Sequence, residues 1–130
     1  MKTTEKFEIF INPGGFIEQR FVGSQNPESV RTAIERLIKQ SEKLSSKKGR
    51  VLILVDITNI SNIDVSGKMS ETRGEIVEAM RQAEYDRIAI YGDLAGQVMV
   101  NTLVLIAGRR RKIRVFEDRI GALKWLKSKA

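Results

Sequence analysis

The densest run of side chains able to do chemistry is Asp56-Ile57-Thr58-Asn59-Ile60-Ser61-Asn62-Ile63-Asp64-Val65-Ser66-Gly67. It leaves the apolar run Val51–Val55 and leads into a helical pattern. Asp64 and Ser66 both suit the N-cap of that helix, because a side-chain oxygen there accepts from the free N–H groups of the first turn. A phosphate at the same place would meet those N–H groups and the positive end of the helix dipole. Two basic clusters form the other candidates, Lys47-Lys48-Gly49-Arg50 and Arg109-Arg110-Arg111-Lys112. Each falls where a helix ends and a strand begins, so its cations complement the negative helix end. The second also adjoins an apolar segment, a combination that suits an amphiphile with an anionic head.

The chain holds no Cys and no His, which excludes disulfides, thiolate nucleophiles, Ser-His-Asp and Cys-His catalysis, and zinc sites. Carboxylate, lysine and Mg²⁺ chemistry stay open. Asp56, Asp64 and Asp93 fall near one sheet edge, yet they lack an adjacent acid pair and the chain has no Gly-x-x-x-x-Gly-Lys loop. The expectation is therefore a protein that is not an enzyme and needs neither metal nor cofactor. The formal charge of +7 favours acidic partners in general, but no nucleic-acid recognition motif accompanies it, so no nucleic-acid partner is expected.

These groups must be positioned by a small α/β framework. Phe7–Ile11 and Phe16–Val22 read as strands joined by Asn12-Pro13-Gly14-Gly15, a turn signal that predicts an antiparallel hairpin. Asn26-Pro27-Glu28 opens a first helix whose stripe is Val30, Ala33, Ile34, Leu37, Ile38 and Leu44, and Ser45–Gly49 ends it. Val51–Val55 reads as a strand buried on both faces. Met69, Ile76, Val77, Met80 and Ala83 mark a second helix, and Ile88–Tyr91 the next strand. In Leu94 to Gly108, Val98-Met99-Val100 and Leu103 to Ile106 offer a strand as the alternative, but its length, its place between two strands and Gly108 favour a third helix, apolar nearly all round and hence with a second contacted face. Ile113–Phe116 is the last strand, and Asp118 caps a last helix carrying Ile120, Leu123, Trp125 and Leu126. The order ββαβαβαβα predicts an α/β fold: a mixed, mainly parallel sheet with an N-terminal antiparallel hairpin and helices packed on it.

With 130 residues, 42% of them hydrophobic and 30% charged, the composition is that of one globular domain spanning 1–130. No window approaches the roughly 18 unbroken apolar residues of a transmembrane segment. Met1-Lys2-Thr3-Thr4-Glu5-Lys6 has no apolar run behind its charges, so no secretory signal is read there and a cytoplasmic location is expected.

The apolar strand, Asp56-Ile57-Thr58, and then Ile63-Asp64-Val65-Ser66-Gly67 resemble the signature of STAS domains, the anti-sigma-factor-antagonist family. Arg87–Asp93, Ile113–Asp118 and Ala122-Leu123-Lys124-Trp125-Leu126 are similar to its SpoIIAA-like (STAS/SEC14) branch, and the resemblance spans roughly residues 16 to 127. It implies the same ββαβαβαβα order. It also implies that Ser66 occupies the position a partner kinase phosphorylates, with Asp64 the Asp of that turn and Asp56 the Asp that closes the strand. Val65 stands where the family's turn has its first Ser, and Gly23-Ser24-Gln25-Asn26 lacks the usual acidic residue. Ala122, Trp125 and Leu126 are expected in the core.

Two functions follow as expectations. In the first, the surface around Ser66, with Asp64, Asp56, Gly67 and Thr58, docks a protein partner, a switch kinase or anti-sigma-factor-like regulator, in a non-catalytic regulatory module. In the second, the third helix and Arg109–Lys112 bind a small ligand or lipid. The competing use of that helix is a homodimer contact, which would hide the same apolar surface.

Overall fold

The computed structural model describes residues 6–48, 51–63, 78, 85–92 and 112–128. Strand β1 (Phe7–Ile11) and strand β2 (Ile17–Gln25) form the expected antiparallel hairpin. Its turn is closed from within: the Asn12 side chain accepts from the Gly14 N–H at 2.7 Å, and the Asn12 carbonyl accepts from Gly15 at 2.8 Å. Gly15 has φ +92°, a conformation that costs a residue with a Cβ about 1–2 kcal/mol.

The N-terminal helix (Pro27–Lys48) is capped reciprocally. Asn26 accepts the Ser29 N–H at 2.8 Å while the Ser29 hydroxyl accepts the Asn26 N–H at 3.0 Å. Ala33, Leu37, Ser41 and Leu44 form its buried stripe. The helix runs through Ser45 and Ser46 to Lys48, beyond the expected stop. Serine costs an interior helical position only a fraction of a kcal/mol, and cations in the last turn offset it.

Strands β3 (Leu52–Ile63), β4 (Arg87–Tyr91) and β5 (Ile113–Phe116) complete a five-stranded sheet in the order β1-β2-β3-β4-β5. All pairings after the hairpin are parallel. The C-terminal helix (Arg119–Lys127) follows, with Asp118 accepting the Gly121 N–H at 2.9 Å as the expected cap. Of the expected second helix only Glu78, which is helical, is described, and the third lies outside the described residues.

Period-two alternation divides the core into two layers. Phe7, Ile17, Phe21, Ile53, Val55, Ile57, Ile88, Ile90 and Ile113 pack with Ala33, Leu37 and Leu44 of the N-terminal helix. Leu54, Ala89 and Tyr91 point the other way and pack with Phe16, Ala122 and Leu126. Ala122 and Leu126 are fully buried, whereas Trp125 is only half-buried, its ring packed on Phe116 at 5.7 Å between centroids. The expectation that Trp125 sits in the core is corrected to that extent. Its ring instead shields Arg87, whose guanidinium lies 4.9 Å from the ring centroid.

Candidate functional site

The largest departure from the sequence reading falls on the candidate run itself. Asp56 to Ile63 is not a polar loop but the second half of β3. The register with β2 slips twice, between Arg20 and Val22 and between Gly23 and Ser24, and each time β3 carries the extra residue. Those irregularities break strict alternation, so Ile57 and Ile60 both reach the same core layer although three positions separate them. β4 pairs with β3 only as far as Asp56, while β2 accompanies β3 on to Ile63. Asp56 and Ile63 therefore stand roughly 20 Å apart along the strand, at about 3.3 Å per residue. Asp56 and Thr58 lie within β3, and Asp64, Ser66 and Gly67 lie outside the described residues.

What gathers around Asp56 is a different set of side chains. Arg20, Asp56, Tyr91 and Phe116 are register neighbours across four strands. Glu18 precedes Arg20 by two positions and so faces the same layer. The Glu18 side chain is fully buried, and its carboxylate accepts from Arg119 Nη1 at 2.6 Å, Arg119 Nη2 at 3.3 Å, Asn12 Nδ2 at 2.8 Å and Arg20 Nη2 at 3.2 Å. Arg119 Nη1 also donates to the Tyr91 hydroxyl at 3.2 Å. Asp56 in turn is buried, and its Oδ1 accepts the Thr58 N–H at 2.8 Å.

Burial alone would push the Glu18 carboxyl up, but the hydrogen bonds from Arg119 and Asn12, the charge of Arg119 and the bond from Arg20 outweigh it and hold it below the usual carboxylate range. The Tyr91 hydroxyl is pushed up, first by burial and then by the charge and hydrogen bond of Asp56, with Arg119 opposing. Arg119 is held more firmly protonated by its bonds to Glu18 and Tyr91.

Two guanidiniums face the Glu18 carboxylate, whose lone pairs are engaged from three sides. Such a cluster offers no free base, nor a tyrosinate at neutral pH. Its chemical effect is to tie together the hairpin turn, three strands and the first turn of the C-terminal helix. Among the described residues no group of three or more His, Asp or Glu side chains is placed to hold a metal ion.

Of the basic candidates, Arg109, Arg110 and Arg111 lie outside the described residues. Lys112 is described: its Nζ donates to the Tyr85 carbonyl at 3.3 Å and stands 5.6 Å over the Tyr85 ring. Sequence reasoning missed Glu18, Tyr91 and Arg119. The available signal was Glu18, a carboxylate set between Ile17 and Gln19 of a strand, although nothing in the pattern links it to Arg119, 101 residues away.

The model of the SpoIIAA-like family matches residues 16–127. The chain belongs to the SpoIIAA-like family. Among solved structures, it is similar to a protein from Shewanella loihica PV-4 described as an uncharacterized member of the DUF3478 family with a SpoIIAA-like fold. The two share 17% identity and a TM-score of 0.63, over 97% of this chain and 98% of that one. No curated protein matches the sequence. At that identity the likeness concerns the fold: this SpoIIAA-like chain has the expected α/β architecture, with the antiparallel hairpin at one edge. No helix among the described residues is long and apolar enough to cross a membrane.

Proposed function

We propose that this SpoIIAA-like protein is a non-catalytic, cytoplasmic regulatory module that docks a protein partner, a switch kinase or anti-sigma-factor-like regulator, and that phosphorylation of Ser66 switches the contact. The observation that carries the reading is the reach of β3. Beyond Asp56 it has no partner in β4, and among the described residues it pairs there only with β2, reaching Ile63, three residues before Ser66 in the sequence. Asp56 itself is engaged inward, next to Tyr91 and Thr58, so it supports the fold under the site while the Asp64–Gly67 turn carries the recognition. A phosphate on Ser66 would add about −1.5 to −2 charges, enough to repel an acidic partner face or recruit a basic one.

The test is affinity isolation from native cells of wild type, Ser66→Ala and Ser66→Asp, with intact-mass and site mapping on the wild type. Phosphate on Ser66, together with a kinase or sigma-factor regulator held by Ser66→Ala and released by Ser66→Asp, is the expected result. An unmodified Ser66, with both variants holding the same proteins equally well, would overturn the switch.

A further inference from the structure

Among the described residues, four large apolar side chains are exposed, and three of them sit on or beside the hairpin edge of the sheet: Phe10 at 38%, Ile11 at 46% and Val22 at 45%. β1 is the outermost strand there. Being Phe7-Glu8-Ile9-Phe10-Ile11, it carries one charge and no Lys, Pro or bulge to blunt the edge.

The hairpin register fixes which of its backbone groups are unspent. Val22 donates to the Lys6 carbonyl and Asn12 to the Phe16 carbonyl, so the hydrogen-bonded pairs of the ladder fall on the even-numbered residues of β1. The N–H and C=O groups of Phe7, Ile9 and Ile11 therefore point away from β2, toward the open edge.

From this pattern we infer that β1 is the contact through which two copies of this chain pair, antiparallel about a twofold axis at Ile9, joining their sheets into one. The pattern is self-complementary about that residue. Ile9 meets Ile9 and Phe7 meets Ile11, and all of these positions carry outward backbone groups, so each exchanges its N–H and C=O with its opposite number. The charges also fit. Glu8 of one copy falls opposite Phe10 of the other, and the Arg20 guanidinium already lies 5.5 Å from the Phe10 ring centroid. Within each copy Glu8 is also the register partner of Arg20, so the pair sets Glu8 of each copy beside Phe10 of the other, on the face where Arg20 carries the compensating charge. The arrangement closes on itself, because the same patch is used on both copies and neither β1 edge is left to add a third.

This contact differs from the one expected of the third helix, and it is independent of the Ser66 switch. Its span, one short strand, places it at the small end of specific interfaces, below about 1,200 Å². The dimer is therefore expected to be concentration-dependent.

The experiment combines light scattering on a sizing column with amide exchange, from about 10 µM to about 1 mM protein. Wild type should move toward twice the monomer mass as concentration rises. The amides of Phe7, Ile9 and Ile11 should gain protection over the same range, while those of Glu8 and Phe10 stay protected throughout. Ile11→Pro removes one outward donor without touching the ladder to β2, and Ile11→Lys places a cation against Phe7 of the other copy. Both should stay monomeric with wild-type circular dichroism, whereas Ile120→Lys, on the exposed face of the C-terminal helix, should dimerise like wild type. A monomeric wild type at the highest concentration overturns the inference. So does a dimer in which the Phe7, Ile9 and Ile11 amides exchange freely, or one that survives both Ile11 variants.

Discussion

Removing the Arg119–Glu18 pair tests whether the buried network is what seats the C-terminal helix. The two partners make one short and one long charge-assisted bond, 2.6 and 3.3 Å, with Glu18 fully buried and the Arg119 side chain 37% exposed. Two limits bracket the effect. Solvent-exposed ion pairs give about 0.2–1 kcal/mol, and breaking a buried pair costs about 3–5 kcal/mol. Screening of the exposed guanidinium argues for a discount from the upper limit, while Asn12 and Arg20 still serve the carboxylate after Arg119 is gone. Arg119→Met is therefore expected to cost about 2–3 kcal/mol, and Glu18→Gln a similar amount. In a double-mutant cycle with Arg119→Met, the coupling should be about 2 kcal/mol.

The assay is urea unfolding of the four proteins at pH 7, repeated at lower pH. Glu18 titrates below its ordinary value of 4.5 in the folded protein, so its contribution is complete above pH 4.5 and is lost as pH falls through the lowered folded value. The stability gap between wild type and Glu18→Gln should accordingly be constant from pH 7 down to about 5 and shrink below that. A coupling under about 0.5 kcal/mol at pH 7 would place the pair with ordinary surface bridges and refute the reasoning. A gap that ignores pH between 5 and 3 would show that the carboxylate's charge is not what Arg119 holds.

Two further substitutions probe how the sheet is closed. Gly92 follows β4 where it runs beside β3, and a Cβ there would collide with Ile57 Cγ1 and stand 3.1 Å from the Ile57 carbonyl carbon, so Gly92→Ala should cost about 2–3 kcal/mol in thermal unfolding, and a stability equal to wild type would contradict the close approach. Arg87, almost fully buried, donates to the carbonyls of Trp125 and Ser128 and to the Ser128 hydroxyl, placing a cation at the end of the C-terminal helix. Arg87→Met keeps the packed stem but should lose about 2–3 kcal/mol, with faster amide exchange confined to the last turn of that helix, and unchanged exchange there would sink the clamp.

The framework was legible because its signals are local. The Asn12–Gly15 turn, the Asn26 and Asp118 caps and the continuous apolar run of β3 each specify their element within a few residues, and family resemblance converges on the same order. The candidate site was less so, for two physical reasons. The second half of β3 carries two register slips, and a strand with extra residues loses the period of two by which a strand is recognised, so Asp56–Ile63 read as a polar loop. The partners of Asp56 come from distant segments, with Tyr91 at the end of β4 and Arg119 in the first turn of the last helix. Nothing in a linear pattern announces that a fully buried Glu18 will meet a guanidinium from the far end of the chain.

The inward engagement of Asp56 fixes what it can contribute. A carboxylate held next to Tyr91 and accepting the Thr58 N–H cannot turn outward to a partner without leaving a buried tyrosine hydroxyl short of a hydrogen bond, a cost of about 1–3 kcal/mol. Asp56 is thereby committed to the same layer as Glu18 and Arg119, and that layer fixes the strand from which β3 continues to Ile63. A rigid base of this kind suits a switch that acts through charge at the far end. On that proposal, the energy of a phosphate contact is not absorbed by movement of β3. If Ser66 is switched as proposed, loosening this base with Arg119→Met should narrow the difference in partner retention between Ser66→Ala and Ser66→Asp in the affinity isolation.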